Sequence, residues 1–456
     1  MEAASRQADN EADLTPVLPL REVARVWWPL AASWLLMALE GPAISAIVAR
    51  LVQPELHLAA YGGLVLPLSL FIEAPIIMLL AASTALSKDW RSYTFLRNFT
   101  HGLSAGLTLL HVLVVYTPLY YWVARGVIGA PPEIVEPGRW GLMIMVPWTW
   151  SIAYRRFNQG VLIRFGHSLS VGLGTAIRLG AGGIALAVGY AVGTVPGIVV
   201  AAAATIAGVV SEATFVGLRV RPVLRRQLRP APPVAERLTM RGFLSFYVPL
   251  SLTPLIFLVA RPIGSAAISR MPQALSSLAV WPVLTGLVFM LRSFGVSYNE
   301  VVVALLDRPR SSPALRKFAG LLTCVTTAVL LAVAATPLAR LWFQGISGLS
   351  AELAGLAERG LWLALLLPAL TVLQSWFQGV ILHTRRTGAI TEAVLLFFLV
   401  NGAVLAAGVT SAPVPGIYVA VAGLSTGAAA RTGWLAWRSR NSRHHLRQRD
   451  LTSASR

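Results

Sequence analysis

The chain has 456 residues, 56% of them hydrophobic and 12% charged, with a mean hydropathy of +0.67. That balance excludes an ordinary water-soluble domain and predicts an all-α polytopic membrane protein. A crossing needs about 20 apolar residues, so about twelve helices leave room only for short loops and tails. The net charge of +19, from 38 basic and 19 acidic residues, reads as membrane orientation and not as nucleic-acid binding.

In chain order, a polar tail (1–25) precedes apolar runs near 26–49, 58–86, 99–123, 140–163, 169–192 and 195–218. A basic linker with several prolines (219–242) follows, then runs near 243–270, 275–304, 318–342, 360–382, 388–410 and 415–435, and a basic tail (436–456). These bounds define two six-span lobes, 26–218 and 243–435. Gly193-Thr194-Val195-Pro196 separates spans 5 and 6, and Pro413-Val414-Pro415 separates spans 11 and 12. With both termini in the cytoplasm, only Arg50, Arg125, Arg139, Arg270, Arg340 and Arg359 lie outside. No cleavable signal peptide is expected, because a polar Met1–Asp13 stretch precedes an apolar run that is too long for one. Trp27-Trp28, Tyr120-Tyr121-Trp122, Trp140, Trp342-Phe343, Trp434 and Trp437 sit near span ends as interfacial anchors.

An internal repeat sets the architecture. An offset of 220 aligns Pro29-Leu30 with Pro249-Leu250, Pro42 with Pro262, Ser45-Ala46 with Ser265-Ala266, and Arg50 with Arg270. An offset of 219 pairs Gln159-Gly160-Val161 with Gln378-Gly379-Val380. Six spans per repeat give both lobes the same orientation, the pattern of secondary transporters whose substrate lies between rocking lobes. Pro42, Pro67, Pro75, Pro262 and Pro282 are expected to interrupt the first two helices of each half.

Ionisable residues inside spans cost about 2.5 to 3.5 kcal/mol each when they face lipid, so they must pair, snorkel or face water. Glu300, Glu392 and Arg431 are near enough to span ends to snorkel, and Arg155-Arg156 partly so. The repeat sets Glu40 beside the counterpart of Arg261, and Glu73 beside that of Arg292. The charges are therefore expected to meet across the cleft as Glu40–Arg261 and Glu73–Arg292, with Glu212 opposed to Arg431 as a gate or clasp. Arg261 and Arg292 are the expected anion contacts through bidentate donors, with Arg178, Asn158 and Gln159 as further contacts. Glu40, Glu73, Glu212 and Arg431 are the coupling or gating set, and Arg155, Arg156 and Glu300 are secondary. Static interlobe ion pairs are the competing account of the same charges.

No G-x-x-x-x-G-K-[ST] stretch occurs, which excludes a P-loop ATPase on this chain. The histidines at 57, 101, 111, 167, 383, 444 and 445 show no metal-ligand spacing, and Asp9, Asp13, Asp89, Asp307 and Asp450 all lie in tails or inner loops. The lone Cys324 can form no intrachain disulfide. No enzyme, cofactor or metal is expected.

The two-lobe, twelve-span pattern with its basic linker resembles the multidrug and toxin extrusion (MATE) superfamily, which includes lipid-linked oligosaccharide flippases. Within it, Ala59-Ala60-Tyr61-Gly62, Gly160-Val161-Leu162-Ile163, Leu244-Ser245-Phe246 and above all Ala260-Arg261-Pro262-Ile263 with Ser269-Arg270 look like the progressive ankylosis family. That resemblance implies an exporter of small anionic metabolites and touches Arg261 directly. The short basic tail departs from the long acidic one of animal members, and the arginine-rich composition suits a bacterial inner-membrane relative. The expected partners are a small anion, a proton or sodium as coupling ion, and membrane lipids, with the chain as a monomer. A flippase for a lipid-linked saccharide, a cationic-drug antiporter and a non-transporting assembly partner are the rival expectations.

Overall fold

The structure, a computed structural model, describes residues 18–234, 237–306, 308, 310–383, 388–411 and 413–452. Most of the expected N-terminal tail, with Asp9 and Asp13, and also Asp307, lie outside the described residues. The first half contains α1 (Leu20–Val48), α2 (Pro54–Leu86), α3 (Trp90–Tyr116), α4 (Pro132–Ile144 continuing as Val146–Arg164), α5 (Ser168–Val192) and α6 (Gly197–Leu228). The second contains α7 (Met240–Ile268), α8 (Ala274–Leu305), α9 (Ser312–Ala335), α10 (Ala351–Leu363 bent into Leu367–His383), α11 (Gly388–Ser411) and α12 (Gly416–Arg438). A final helix, α13 (Arg440–Thr452), follows. No strand occurs among the described residues.

Eight of these helices are long and apolar enough to cross a membrane, or nine if bent α10 counts as one span. The chain is thus a multi-pass membrane protein. α4 is not among the nine, because Arg155, Arg156, Asn158, Gln159 and Arg164 lie in its second segment.

The helix ends follow from local chemistry. α5 stops at Gly193, whose φ of 70° closes the last turn, and α6 starts after Pro196. α3 and α9 end earlier than the apolar runs predict, at Thr117-Pro118 and Thr336-Pro337. There the threonine hydroxyl donates to Leu113 O (2.6 Å) or Ala332 O (2.6 Å), and proline cannot continue the ladder. Each stop leads into a wide-turn connector, Trp122–Ile128 in the first half and Leu341–Ile346 in the second. Of the prolines expected to interrupt helices, Pro42 and Pro282 lie within the unbroken α1 and α8, and α7 runs on through position 262. Only α2 is broken, by a wide turn at Tyr61–Val65 ahead of Pro67 and a tight turn at Ala74–Ile76 around Pro75.

The repeat is visible in the backbone. Gln53 and Gln273, 220 residues apart, are both left-handed (φ 50° and 53°) and open α2 and α8. The first helix of each half crosses onto the other half. α1 packs along α8 and α7 along α2. At the end of the bundle that carries the 219–242 linker, Trp27 Nε1 donates to Phe294 O (3.1 Å) and Tyr247 OH to Pro75 O (2.5 Å). Trp27 also meets Phe318 edge-on, as Tyr247 meets Phe99. α13 docks at this linker end through buried Leu446, while Arg449 Nη1 donates to Leu306 O (2.9 Å) and Asp450 accepts from Ser312 N (3.2 Å).

Candidate functional site

The site lies between the two halves. At the far end, opposite the linker, α2 and α8 cross so closely that a Cβ on Gly62 would stand 2.7 Å from Pro282 Cγ, and one on Gly63 3.1 Å from Leu278. Ser276 Oγ donates to Glu55 Oε1 across the same seam (2.5 Å). Below the crossing is a cavity of about 400 Å³ lined from both halves. Its polar wall consists of Glu40 (α1), Tyr61 (α2), Arg178 (α5), Arg261 (α7), Arg292 (α8) and Asn401 (α11), with the aromatic rings of Trp148 and Trp281 between them. Tyr61 and Thr205 share a hydrogen bond of 2.9 Å that ties α2 to α6 at its rim.

The charges are partnered differently from the expectation drawn from the repeat. Glu40 does not meet Arg261. It is bound by Arg178, whose Nε donates to Glu40 Oε1 (3.2 Å) and whose Nη2 bonds Oε2. Glu212 is fully buried and does not oppose Arg431. Arg155 Nη1 donates to its Oε2 (2.5 Å) and Gln159 Nε2 to its Oε1 (2.9 Å). The physical reason is the crossed packing: α1 runs along α5 and α6 of its own half and along α8, and α4 lies against α6, so each acid finds a cation on a neighbouring helix before it reaches the far side of the cavity.

Asn158 and Gln159 do not line the cavity. Both are buried within the first half, where Asn158 Nδ2 donates to Tyr154 O (2.9 Å). Arg155 is buried, so it does not snorkel, and Arg156 Nε has no hydrogen-bond partner among the described residues. Glu300 lies at the surface and accepts from Trp34 Nε1 (3.2 Å), and Glu392 binds Trp434 (3.0 Å) and Arg438 (3.0 Å). Glu73 does not reach Arg292. It is buried beside the Trp148 indole, within the field of Arg156 and Arg155, and its Oε2 has no hydrogen-bond partner among the described residues. Trp148 itself lines the cavity, and Arg261 of the cavity wall also lies within the field of Glu73.

The second half carries the opposite balance. Arg292 Nε donates to Thr371 Oγ1 (2.9 Å), and neither Arg292 nor Arg261 forms an ion pair among the described residues. Arg292 lies within the field of Arg261 on the cavity wall, and Arg431, which does not line the cavity, within that of Arg292. Thr205, Trp148, Trp281 and Asn401 were not singled out by sequence reasoning, and Tyr61 only as part of the Ala59-Ala60-Tyr61-Gly62 segment; an aromatic or amide in an apolar run carries no signal until its neighbours across the cavity are known. No group of His, Cys, Asp and Glu among the described residues is placed to hold a metal ion.

The architecture, twelve helices in two six-helix sets around a central cavity, is a MATE-like fold. The structure is similar to an inward-facing multidrug-resistance MATE transporter of the MOP superfamily (TM-score 0.67, 16% identity, 94% of this chain and 100% of the other). It is also similar to the lipid II flippase MurJ in an inward closed conformation (0.73, 14%, 93% and 90%). A MOP-superfamily transporter from Pyrococcus furiosus, described by a reversed polarity of its binding pocket, superposes at 0.59 (18%, 93% and 97%). No protein-family model and no curated protein sequence matches the chain.

Proposed function

We propose that the chain is a gradient-driven, alternating-access exporter of small organic or phosphate-bearing anions. The observation that carries this is the cavity wall itself: Arg261 and Arg292 form no ion pair among the described residues, whereas Glu40 and Glu212 are neutralised by Arg178 and Arg155. Two neighbouring cations in a membrane-spanning cavity repel each other, and a ligand that supplies negative charge relieves that repulsion. Guanidinium groups suit carboxylate or phosphate oxygens through paired donors. The fold shared with transporters, and the faint ankylosis-like motif around Arg261, support the same reading. Glu73, buried beside Trp148 with an unsatisfied oxygen, is the group we assign to proton coupling, with sodium as the alternative ion. We further assign the chain to a bacterial inner membrane, as a monomer with both termini in the cytoplasm, on the arginine distribution.

The test is efflux of labelled citrate, pyrophosphate and ATP from liposomes, with and without a pH or sodium gradient. Arg261→Ala and Arg292→Ala are each expected to cut saturable transport about tenfold or more, since a hydrogen bond to a charged group is worth about 1.5 to 3 kcal/mol. Full transport in both variants would remove the anion assignment. If none of the three anions moves in the unmodified protein and a lipid-linked pyrophosphate does, the flippase reading replaces it. A cationic-drug antiporter is disfavoured by the same arginines.

A further inference from the structure

Arg50 and Arg270 end α1 and α7 at the far end of the bundle, 220 residues apart, and neither is used by the site described above. Arg50 Nη1 donates to Ala46 O in its own helix (2.7 Å), while Nη2 reaches Gly345 O in the second-half connector (2.6 Å). Arg270 repeats this in the other direction. Its Nη1 donates to Ala266 O (2.7 Å) and to Ile128 O (2.5 Å), and its Nη2 to Val127 O (2.8 Å), both in the first-half connector. The acceptors are the last carbonyls of wide turns, which have no partner further along the chain. Each connector is followed by a left-handed glycine, Gly129 (φ 70°) or Gly348 (φ 72°). A Cβ there would stand 3.1 Å from Arg270 Cζ or 2.9 Å from Arg50 Nη1, so glycine both makes the turn and seats the guanidinium.

We infer that Arg50 and Arg270 are a matched pair of latches that hold the far end of the cavity shut, and that both must release before the halves part there. The α2–α8 crossing beneath them is mostly a van der Waals contact, with the Ser276–Glu55 hydrogen bond beside it. The latches add three further directional, charge-assisted bonds between the halves at this end. Because the acceptors are backbone carbonyls, no side-chain change on the connector and no protonation weakens the grip. Release requires the carbonyls and guanidinium groups to be rehydrated together, which makes the closed state a discrete one.

The test reads conformation without any substrate, so it stands apart from the anion assignment. Spin labels go on Glu133→Cys and Glu352→Cys, exposed far-end positions in opposite halves, in a Cys324→Ala background in lipid nanodiscs. With both latches present, one short distance population is expected. In Arg50→Gln/Arg270→Gln a second, longer population should become the major one, and either single change should give an intermediate split. Should the double change prevent folding, Gly348→Ala, which pushes directly against Arg50, should produce the single-variant pattern. A folded double variant, or a folded Gly348→Ala protein, whose distances match those of the unmodified latches would overturn the inference.

Discussion

Arg155→Met is expected to lower the stability of the purified protein by about 3 to 5 kcal/mol, read as a shift in its unfolding midpoint in detergent. The change leaves the Glu212 carboxylate, fully buried between α4 and α6, with Gln159 as its one remaining hydrogen-bond partner among the described residues. A single neutral donor does not offset a buried negative charge. The pair itself is worth far less than the cost of breaking it, because taking two charges out of water nearly cancels their attraction. Arg155→Met combined with Glu212→Gln should therefore recover most of the loss, with the new amide kept in reach of Gln159. If the double variant is as unstable as Arg155→Met alone, the two side chains are not coupled and the account of this network fails.

Gly160→Ala is expected to be the most damaging single methyl in the first half. A Cβ there would lie 2.5 Å from Leu80 O, 2.6 Å from Ser83 Cβ and 2.9 Å from Thr84 N, which are two backbone atoms of α2 and one carbon fixed to it. Neither helix can rotate that obstacle away, and Ser83 and Thr84 hydroxyls already donate to Phe157 O (2.8 Å) and Gly160 O (3.3 Å) across the contact. Overpacking costs typically about 1 to 3 kcal/mol, and a backbone-to-backbone clash belongs at or above the upper end. The repeat provides an internal control. At Gly379 the added carbon would meet the Val302 side chain, Cγ1 at 2.3 Å and Cβ at 2.7 Å, so Val302→Ala, which removes the nearer atom, should recover part of the stability lost in Gly379→Ala, while no side-chain change on α2 should rescue Gly160→Ala. Equal rescue at both sites, measured as melting temperature, would refute the distinction.

The helices and their number were legible in the sequence because apolar runs are punctuated by residues with one local meaning, such as Gly193 before Pro196. The two early helix ends were not, because Thr117-Pro118 and Thr336-Pro337 sit inside apolar runs that continue into the connectors. The repeat was legible through Gln159-Gly160 and Gln378-Gly379, whose glycines are fixed by close helix crossings. The ion pairs were not. Glu40 lies beside the repeat counterpart of Arg261, yet which cation a carboxylate meets depends on neighbouring helices, and Arg178 arrives from a span 138 residues on. Arg50 and Arg270 had the signal that charge pairing lacked: each repeats at one offset, and the glycines that seat them, Gly129 and Gly348, repeat at another.

The crossed placement of α1 and α7 has a consequence for where this chain came from. Each half lends its first helix to the other, with Trp27 on α8 matched by Tyr247 on α2, and Arg50 on one connector matched by Arg270 on the other. Two separate copies of one half, exchanging their first helices about a twofold axis, would make the same contacts. The protein is in this sense a helix-swapped homodimer joined head to tail by its basic linker. Joined copies can differ in charge, the first half pairing Glu40 and Glu212 with its own arginines and the second turning Arg261 and Arg292 to the cavity without an ion pair among the described residues, an inequality that no symmetric dimer sustains.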